Sequence, residues 1–464
     1  MTPVTCYSGK QAAVFGLGGS GFVTALALAE GGARVFVWDD NAQAREKARA
    51  AGLRIENLAL ADWPSFDSLV LSPGVALTHP APHWSAQMAH RAGVEIIGDI
   101  ELVCRERRKI APGSPFIAIT GTNGKSTTTA LTAHLYRSFG YVTEVGGNIG
   151  TPVLALAPPS QDRIHVIECS SFQIDLSPSL DPSVGVLLNV TPDHLDRHGT
   201  MENYAAIKAR LIENAGLAVI GIDDPVASAI AVRRLKSGRM TSCVSVTKSL
   251  AGVGNDAILL HGTKLVRFRS EATSTVADLA GVASLRGTHN AQNAAAAVAA
   301  LGPLGLDLDR LAAGLRTFPG LPHRLEEVGR KGKVLFVNDS KATNADAAEK
   351  ALLSFDDIFW IAGGRAKAGG IAPLRPLFNK IVKAYLIGES AEQFAQMIGD
   401  AFPCECCGTL ETAVPAAWRD AEQSRLKEPV VLLSPASASF DQFADFEKRG
   451  DSFRAIVRAL VGKS

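Results

Sequence analysis

The fold of this chain is decided at residues 119–129, which read Ile119-Thr120-Gly121-Thr122-Asn123-Gly124-Lys125-Ser126-Thr127-Thr128-Thr129. The apolar run at 115–119 predicts a buried strand, and apolar residues at helical spacing predict a helix over 125–136. Between them, glycines let backbone N–H groups approach an anion, and the N-terminus of the helix favours negative charge. These residues therefore predict a strand, a turn and a helix that together hold a nucleotide triphosphate.

Two side chains of this turn suit a metal-bound triphosphate. Lys125 brings a positive charge to the phosphates, and Ser126 offers its hydroxyl to a phosphate-bound Mg²⁺. The Walker pattern places a further glycine at position 119, where this chain has isoleucine, so only the compact form of the motif is present. A glycine-rich turn that carries a lysine by chance is the alternative.

Composition and charge are those of an ordinary globular protein. The 464 residues predict about three domains, and 47% hydrophobic with 20% charged residues is enough to build their cores. A net charge of +1 supplies no general attraction for nucleic acid or for an anionic membrane. We therefore expect no nucleic-acid partner.

Cysteines and apolar runs predict a cytoplasmic protein without membrane insertion. The seven cysteines are odd in number and irregularly spaced, which favours a reducing compartment over a disulfide framework. The cluster at 404–407 lacks a second ligand pair, so ordinary thiols are favoured over a metal site. Glycines interrupt the uncharged run at 11–29, so a strand, a loop and a helix explain it better than a signal peptide.

A second glycine-rich turn lies near the start of the chain. Gly16, Gly18 and Gly21 form a G-x-G-x-x-G pattern between a predicted strand and a predicted helix. The next strand ends in Asp39-Asp40, about 20 residues beyond the glycines, as a dinucleotide-binding fingerprint expects. Because NAD, FAD and nucleotide sugars all satisfy this pattern, it predicts a doubly wound α/β domain over 1–104 without choosing the ligand.

The predicted central domain, residues 105–320, carries polar side chains where its parallel strands end. Glu168 and the cluster Asp193–His198 each follow an apolar run. A carboxylate and an imidazole beside an Mg²⁺-phosphate site can complete the ligands of the metal. A helix cap or salt bridge is the alternative for Glu168, and a structural histidine is the alternative for His194.

Other features of this domain are less specific. Lys208 lies on a predicted helix, where an exposed lysine is the ordinary expectation. Asn290 and Asn293 lie one turn apart on another helix, and their amides suit a base, although helix capping by Asn290 fits equally well. Short β-rich runs at 240–286 predict an antiparallel extension of the sheet.

The third predicted domain, residues 321–464, again has loops that follow strands. Three of its predicted strands run into polar or glycine-rich loops at 339–344, 363–367 and 434–446. Any one of these loops could be ordinary turn chemistry. Lysine, threonine and serine side chains in all three suit a small anionic substrate.

Four motifs together resemble the Mur ligase family, the ATP-dependent ligases of bacterial peptidoglycan synthesis. They are Gly121-Thr-Asn-Gly-Lys-Ser-Thr127, Asn189-Val-Thr-Pro-Asp-His-Leu-Asp-Arg197, His289-Asn290 and Leu321-Pro-His-Arg324. Within the family, Asp339-Ser-Lys-Ala-Thr-Asn344 and Leu433-Ser-Pro-Ala-Ser-Ala-Ser-Phe-Asp-Gln-Phe443 resemble the branch that adds D-glutamate. The resemblance covers essentially the whole chain. It implies an N-terminal Rossmann-like domain, a central P-loop ATPase-like domain with an antiparallel extension, and a C-terminal Rossmann-like domain.

The resemblance implies a monomeric cytoplasmic enzyme whose substrates are ATP, UDP-N-acetylmuramoyl-L-alanine and D-glutamate. ATP phosphorylates the L-alanine carboxylate to an acyl phosphate, the amine of D-glutamate attacks it, and phosphate leaves a tetrahedral intermediate. A carboxylate is a poor electrophile and needs this activation. The protein positions the reactants and neutralises charge.

The resemblance also implies roles for individual residues of this sequence. The catalytic residues that it implies are Lys125, Glu168, His194, Lys208 and Lys341. Its ligands for two Mg²⁺ ions are Ser126, Glu168, His194 and Lys208, the last of them N-carboxylated. Its ATP contacts are Gly121, Thr122, Asn123, Gly124, Lys125, Ser126, Thr127, Asn290, Asn293, Arg324 and Asp339. Its substrate contacts are Gly19, Ser20, Asp39, Asp40, Gly74 and Asn148 for the UDP-sugar, and Thr343, Lys367, Ser439 and Phe446 for D-glutamate.

Two positions depart from the family pattern. Arg365 stands where an acidic residue is expected, which changes the charge beside Lys367. The second strand ends Asp39-Asp40-Asn41, without the arginine that often lies near the uracil.

Three alternatives stand beside this interpretation. Another ligase of the same fold, such as another Mur ligase or a folylpolyglutamate synthase, would carry other residues in the third domain, and the loop at 339–344 argues against it. An NAD-dependent oxidoreductase would use Gly16–Gly21 and Asp39 but leaves the phosphate loop unexplained. A non-catalytic UDP-sugar-binding protein would show no ATP turnover.

Overall fold

Three separate sheets organise the chain. The computed structural model describes residues 1–248, 254–270, 272–302 and 307–462. They form two compact units, of which one comprises Met1–Ala280 and Ala291–Thr317 and the other comprises Gly281–Asn290 and Phe318–Ser464. The first unit holds two sheets and the second holds one. No helix in the described ranges is both long and apolar enough to cross a lipid bilayer.

The first sheet has five parallel strands in the order β3-β2-β1-β4-β5. Its strands are β1 (Gln11–Phe15), β2 (Arg34–Trp38), β3 (Arg54–Ile55), β4 (Ser68–Leu71) and β5 (Glu95–Ile97). Its helices are α1 (Gly19–Glu30), α2 (Ala42–Ala50), α3 (Trp84–Ala92) and α4 (Asp99–Ile110). The strand order reverses direction at β1, and α/β sheets bind ligands at the carboxyl ends of the strands beside such a point.

The predicted boundary between residues 104 and 105 falls inside α4. The helix continues because its charged side chains find partners on both sides of that point: the Arg107 guanidinium pairs with Asp181 at 2.7 Å, and the Glu101 carboxylate accepts from the Ser179 N–H at 2.9 Å. The division into domains 1–104, 105–320 and 321–464 stays a prediction.

The second sheet has nine strands in the order β14-β13-β12-β11-β10-β9-β6-β8-β7. Its strands are β6 (Phe116–Thr120), β7 (Val142–Gly147), β8 (Arg163–Glu168), β9 (Val184–Leu187), β10 (Leu217–Gly221), β11 (Thr241–Ser245), β12 (Asp256–His261), β13 (Lys264–Arg269) and β14 (Ala272–Asp278). The associated helices are α5 (Lys125–Ser138), α6 (Ser171–Asp175), α7 (Leu195–His198), α8 (Met201–Glu213), α9 (Pro225–Lys236), α10 (Thr288–Ala300) and α11 (Leu308–Thr317). Every residue of β6 is buried, and β6 pairs in parallel with β8 and β9.

The antiparallel extension predicted at 240–286 is present in part. Strands β12, β13 and β14 pair antiparallel, as predicted, but β11 pairs parallel with both β10 and β12. The parallel pairing of β10 with β11 follows because α9 separates them in the sequence and forms a crossover, which returns the chain in the same direction. Residues 249–253 and 271 of this stretch lie outside the described ranges.

The third sheet has six strands in the order β15-β16-β20-β17-β18-β19, all parallel except the edge strand β15. Its strands are β15 (Glu326–Lys331), β16 (Val334–Asn338), β17 (Ile358–Gly363), β18 (Ile381–Ile387), β19 (Cys404–Gly408) and β20 (Val430–Leu433). Its helices are α12 (Ala345–Ser354), α13 (Ala391–Ile398), α14 (Leu410–Gln423) and α15 (Phe446–Val461).

Short 3-10 helices occur at Thr5–Tyr7, Leu58–Leu60, Trp63–Ser65, Val153–Ala155, Ala283–Leu285 and Ala372–Lys380.

Three sheets of mixed α/β architecture confirm the predicted fold class. The cysteine cluster at 404–407 forms the edge strand β19. Within the described ranges, no three His, Cys, Asp or Glu side chains are grouped closely enough to hold a metal ion.

Gly363, at the end of β17, packs so closely against the backbone of β18 that only glycine fits there. A side chain there would overlap the carbonyl oxygen of Ile387, and the backbone φ is 120°. We expect Gly363→Ala to lower the free energy of unfolding by about 3 kcal/mol or more, because β17 and β18 must separate. Gly369→Ala is the matched control: its φ is 83°, but nothing lies within 4 Å, so a loss of about 1 kcal/mol is expected. Equal losses in urea unfolding would contradict the packing argument.

Candidate functional site

The phosphate loop joins β6 to α5 and is closely packed. Gly124 ends the loop with φ 83°, and a side chain there would overlap Oδ1 of Asn293. A Cβ on Gly121 would come within 2.9 Å of Cβ of Leu188. Both positions therefore require glycine, as the phosphate-binding interpretation predicts.

Asn189 fixes the loop from the neighbouring strand, and the sequence prediction missed this role. Its carbonyl oxygen accepts from the Thr122 N–H at 2.9 Å, and its Oδ1 accepts from the Asn123 N–H at 2.8 Å. Its Nδ2 donates to the Asn123 carbonyl at 3.2 Å. The available signal was a polar residue just after a strand, but only the pairing of β9 with β6 shows that it meets the loop.

Two lysines converge on one carbonyl oxygen of the loop. The Lys125 ammonium donates to the carbonyls of Gly121 at 3.0 Å and Thr122 at 2.7 Å. The Lys208 ammonium donates to the same Gly121 oxygen at 2.8 Å and to Oγ1 of Thr120 at 3.3 Å. Lys208 is only 1% exposed, so the expectation of a solvated helix lysine is wrong. Burial, and then the charge of Lys125, lower the pKa of Lys208 well below its usual value.

Glu168, at the end of β8, has one buried oxygen without a partner. Its Oε1 accepts from Nδ2 of Asn148 at 2.9 Å, whereas its Oε2 is buried and has no hydrogen-bond partner in the described structure. The alternative of a helix cap is wrong, because Ser170 caps the following helix by accepting from the Gln173 N–H at 3.2 Å. A buried carboxylate oxygen in this state suits a bound cation.

His194 is accessible rather than structural. Its side chain is 49% exposed and its backbone has φ 52°. Its Nε2 lies 3.4 Å from Oδ2 of Asp193, and its ring centroid is 5.0 Å from that of Phe172. The alternative of a buried structural histidine is therefore wrong. Ser126 and Thr127 lie in the first turn of α5, directly after Lys125.

The predicted UDP-sugar residues of the first sheet lie at one edge. Gly19 and Ser20 begin α1, Asp39 and Asp40 follow β2, and Gly74 follows β4, and these elements belong to adjacent strands. Asn148 lies apart from them, after β7 in the second sheet.

Asp39 and Arg45 shape this edge. The Asp39 carboxylate accepts from the N–H groups of Leu17 at 2.5 Å and Asn41 at 2.8 Å, so it holds the glycine-rich turn in place. Arg45 of α2 donates to the Asp39 carbonyl at 2.6 Å, and its guanidinium lies 4.5 Å from the ring centroid of Trp38. Its position four residues inside a helix hid it from the sequence pattern.

The three predicted loops of the second unit meet because β16, β20 and β17 are neighbours in the sheet. The Asp339 N–H donates to the Leu433 carbonyl at 2.7 Å, and Oγ of Ser434 donates to Oδ2 of Asp339 at 2.8 Å. The backbones of Arg365 and Ala438 exchange hydrogen bonds of 2.9 and 3.0 Å. This places the loops at 339–344, 363–367 and 434–446 side by side.

The predicted D-glutamate residues differ in exposure. Lys341 lies over the ring of Phe446 at 3.8 Å. Ser439 is buried at 2% exposure, whereas Lys367 is exposed. Thr343 lies two residues after Lys341 in the loop at 339–344, and its N–H donates to the Lys341 carbonyl at 2.8 Å.

Two arginines complete this loop cluster. Arg365 pairs with Glu389 through contacts of 3.1 and 3.0 Å, so its charge beside Lys367 is balanced. Arg449, which the sequence prediction missed, donates to Oγ and O of Ser340 at 3.0 and 2.9 Å and to the Ser437 carbonyl at 3.0 Å. Burial lowers the pKa of Arg449 to about 10.

The remaining predicted ATP contacts are divided between the two units. Asn293 belongs to the first unit, where its Oδ1 accepts from Oγ1 of Thr128 at 3.2 Å. Asn290 belongs to the second, where its Nδ2 donates to the Arg286 carbonyl at 2.9 Å. Arg324 also belongs to the second unit and lies between two residues of positive φ, His323 at 62° and Leu325 at 45°.

Comparison with known proteins identifies the family. A family model described as the Mur ligase middle domain matches residues 119–301, and one described as the Mur ligase, glutamate ligase domain, matches residues 323–437. The chain belongs to the Mur ligase family. The predicted membership is thereby confirmed.

Full-length relatives within the family carry one name. The chain is 59% identical over 465 residues to the UDP-N-acetylmuramoylalanine--D-glutamate ligase of Nitrobacter hamburgensis, covering 100% of this chain and 99% of that protein. It is 57% identical over 464 residues to the enzyme of the same name from Rhizobium meliloti, covering 100% and 99%.

Solved Mur ligase structures share the fold at low sequence identity. The UDP-N-acetylmuramate-alanine ligase of Thermotoga maritima superposes with a TM-score of 0.57 at 17% identity, covering 97% of this chain and 100% of that one. A pseudomurein peptide ligase type C from Methanothermus fervidus superposes with a TM-score of 0.56 at 18% identity, covering 97% of this chain and 100% of that one.

The buried Asp339 predicts a pH-dependent stability of this Mur ligase. Burial raises the pKa of Asp339 to about 7. The unfolded chain ionises this carboxyl near pH 4, so the stability that the protonated group contributes is lost as pH rises from about 4 to 7. We expect the melting temperature of the native protein, relative to Asp339→Asn, to fall between pH 5 and 7 and to level off above 7.

The control for this measurement is Asp356→Asn, because the Asp356 side chain is 82% exposed. Its melting-temperature difference from the native protein should show no comparable step near pH 7. A pH-independent difference between native protein and Asp339→Asn would contradict the role of burial.

Proposed function

We propose that this chain joins D-glutamate to UDP-N-acetylmuramoyl-L-alanine while ATP is converted to ADP and phosphate, one step of cytoplasmic peptidoglycan precursor synthesis. The observation that carries the proposal is the 59% identity, over the whole chain, to a relative of that name. The activity predicted from the sequence is confirmed at this level. The chain acts as a monomer in this proposal, and it needs neither nucleic acid nor membrane insertion.

The chemistry begins with activation of a carboxylate. The γ-phosphoryl group of ATP passes to the L-alanine carboxylate of the UDP-sugar and gives an acyl phosphate and ADP. The amine of D-glutamate attacks the acyl carbon, a tetrahedral intermediate forms, and phosphate leaves as the amide closes. Lys125 contacts the transferred phosphoryl group, and Gly121–Thr127 surround the ATP phosphates with backbone N–H groups.

The second sheet carries residues that fit two Mg²⁺ ions. Ser126, Glu168, His194 and N-carboxylated Lys208 would hold them, and the bound ions would neutralise phosphate charge. The unpartnered Oε2 of Glu168 supports this fit. A lowered pKa favours the neutral amine of Lys208, the form that adds to carbon dioxide with loss of a proton. Carboxylation would also remove one of the two positive charges at the Gly121 carbonyl.

The substrates occupy the ends of parallel strands. The UDP-sugar binds at Gly19, Ser20, Asp39, Asp40 and Gly74 of the first sheet, with Asn148 contributing from the second. The adenosine of ATP contacts Asn290, Asn293, Arg324 and Asp339. D-Glutamate binds at Thr343, Lys367, Ser439 and Phe446, beside Lys341. The adjacency of the loops that follow β16, β20 and β17 supports the D-glutamate assignment.

The test of this function is phosphate release from ATP, Mg²⁺ and UDP-N-acetylmuramoyl-L-alanine with a panel of amino acids. We expect release with D-glutamate and none above background with L-glutamate, L-alanine, L-lysine or meso-diaminopimelate. Release with another member of the panel would keep the ligase chemistry and contradict the D-glutamate pocket. No release with any of them would contradict the proposed function.

Lys208 gives a second test of the site. We expect Lys208→Ala to lower kcat by about 10²–10³-fold, because the negative ligand is lost, and a short-chain carboxylate such as acetate to restore part of it. Lys208→Arg places a permanent positive charge there and cannot be carboxylated, so its kcat should fall by a similar factor. High bicarbonate should rescue neither variant. Full activity of Lys208→Ala in the same assay would remove Lys208 from the site.

A further inference from the structure

One arginine connects the edge of the first sheet to the turn that carries His194. The loop at 72–75, which follows β4 and contains Gly74, is called here the nucleotide-sugar loop. The guanidinium of Arg197, in α7, donates through Nη1 to the Gly74 carbonyl at 3.1 Å and through Nη2 to the Val75 carbonyl at 2.9 Å. The two contacts join residues 123 and 122 positions apart in the sequence. A planar guanidinium can bridge two adjacent carbonyls in this way, and an ammonium cannot do so in the same fixed geometry.

The other side of Arg197 is held by the surroundings of the phosphate site. Its guanidinium carbon lies 4.7 Å from the ring centroid of Phe172, a residue of α6 that lies four positions after the end of β8 at Glu168. The same ring stacks on His198 at 5.0 Å and meets His194 at 5.0 Å. Nε2 of His198 lies 2.9 Å from Oγ of Ser171. Arg197 is therefore fixed against the elements that carry Glu168 and His194.

A close approach at Gly199 joins the same two segments independently. A Cβ on Gly199, whose φ is 78°, would come within 2.7 Å of Nε2 of His79, four residues beyond the nucleotide-sugar loop. At the other end of that loop, Oγ of Ser72 donates to the Gly16 carbonyl at 2.6 Å. The loop is thus tied to the glycine-rich turn by Ser72 and to α7 by Arg197, and the backbone at Gly199, just after α7, packs closely on His79.

We propose that Arg197 is a positioning residue, which sets the nucleotide-sugar loop for a UDP-linked sugar relative to the phosphate site. The inference rests on the proposed function, because it takes the loop to contact the UDP-sugar. In the described part of the chain, the Arg197 guanidinium donates hydrogen bonds only to the carbonyls of Gly74 and Val75. Its loss releases the carbonyls of Gly74 and Val75, so the loop no longer holds a fixed distance from His194. The consequence is weaker binding of the UDP-sugar, with little change in the phosphate loop itself.

The experiment compares the full-length protein with Arg197→Met and Arg197→Lys by calorimetry with UDP-N-acetylmuramoyl-L-alanine, and by steady-state kinetics. Arg197→Met should raise the Kd of the UDP-sugar at least about tenfold, since two charged hydrogen bonds are lost. The Kd of the UDP-sugar for Arg197→Lys should lie between the values for the native protein and for Arg197→Met. The KM for ATP should change by less than about twofold in both, which separates loop positioning from a general loss of structure.

The control is Arg210→Met, because Arg210 is also partly exposed in this unit and, among the described residues, forms hydrogen bonds only with the Asp175 side chain and carbonyl. Its UDP-sugar affinity should stay within about twofold of the native value. Unchanged affinity in Arg197→Met, or an equal loss for ATP and the UDP-sugar, would overturn the role of Arg197. If Arg197→Met does not fold, the same criteria apply to Arg197→Lys. Native protein that binds no UDP-sugar would contradict the proposed function instead.

Discussion

The carbonyl oxygen of Gly121 is the point on which the phosphate site depends. It accepts hydrogen bonds from both Lys125 and Lys208, so two ammonium groups share one neutral acceptor. Burial, and then the like charge of Lys125, lower the pKa of Lys208. In the proposed function, an anionic phosphate beside the loop offsets the charges of these two lysines. The glycines, the Asn189 contacts and the fully buried β6 keep the carbonyl in place.

The predicted sites of the first and third sheets follow the same physical rule. Parallel strands end at one edge, and the loops that follow adjacent strands are brought together there. In the first sheet the rule gathers the residues after β2, β1 and β4, and in the third it gathers those after β16, β20 and β17. The details come from buried polar groups. Asp39 holds the turn after β1, Asp339 holds the loop after β20, and Arg449 holds the loops that contain Ser340 and Ser437.

Local patterns predicted the parts of this structure that local sequence determines. The glycine turns, the strands that precede them and Lys125 follow from spacing and conformational freedom, and the family motifs identified the architecture. Burial could not be predicted in the same way: Lys208 looks like a surface lysine, and only the packing of α8 on the sheet makes it a buried group. Arg45, Asn189 and Arg449 act across strands or from within helices, so no local motif marks them. Strand direction at β11 depended on a helix that the pattern did not identify.

The central claim is that this phosphate loop serves the transfer of a phosphoryl group onto the carboxylate of the UDP-sugar. The most direct measurement uses UDP-N-acetylmuramoyl-L-alanine with oxygen-18 in both carboxylate oxygens, together with ATP and D-glutamate. If an acyl phosphate forms, the oxygen that bridges carbon and phosphorus leaves with the phosphate. Mass spectrometry should then find one labelled oxygen in each phosphate released. Phosphate without label, accompanied by amide formation, would contradict the account.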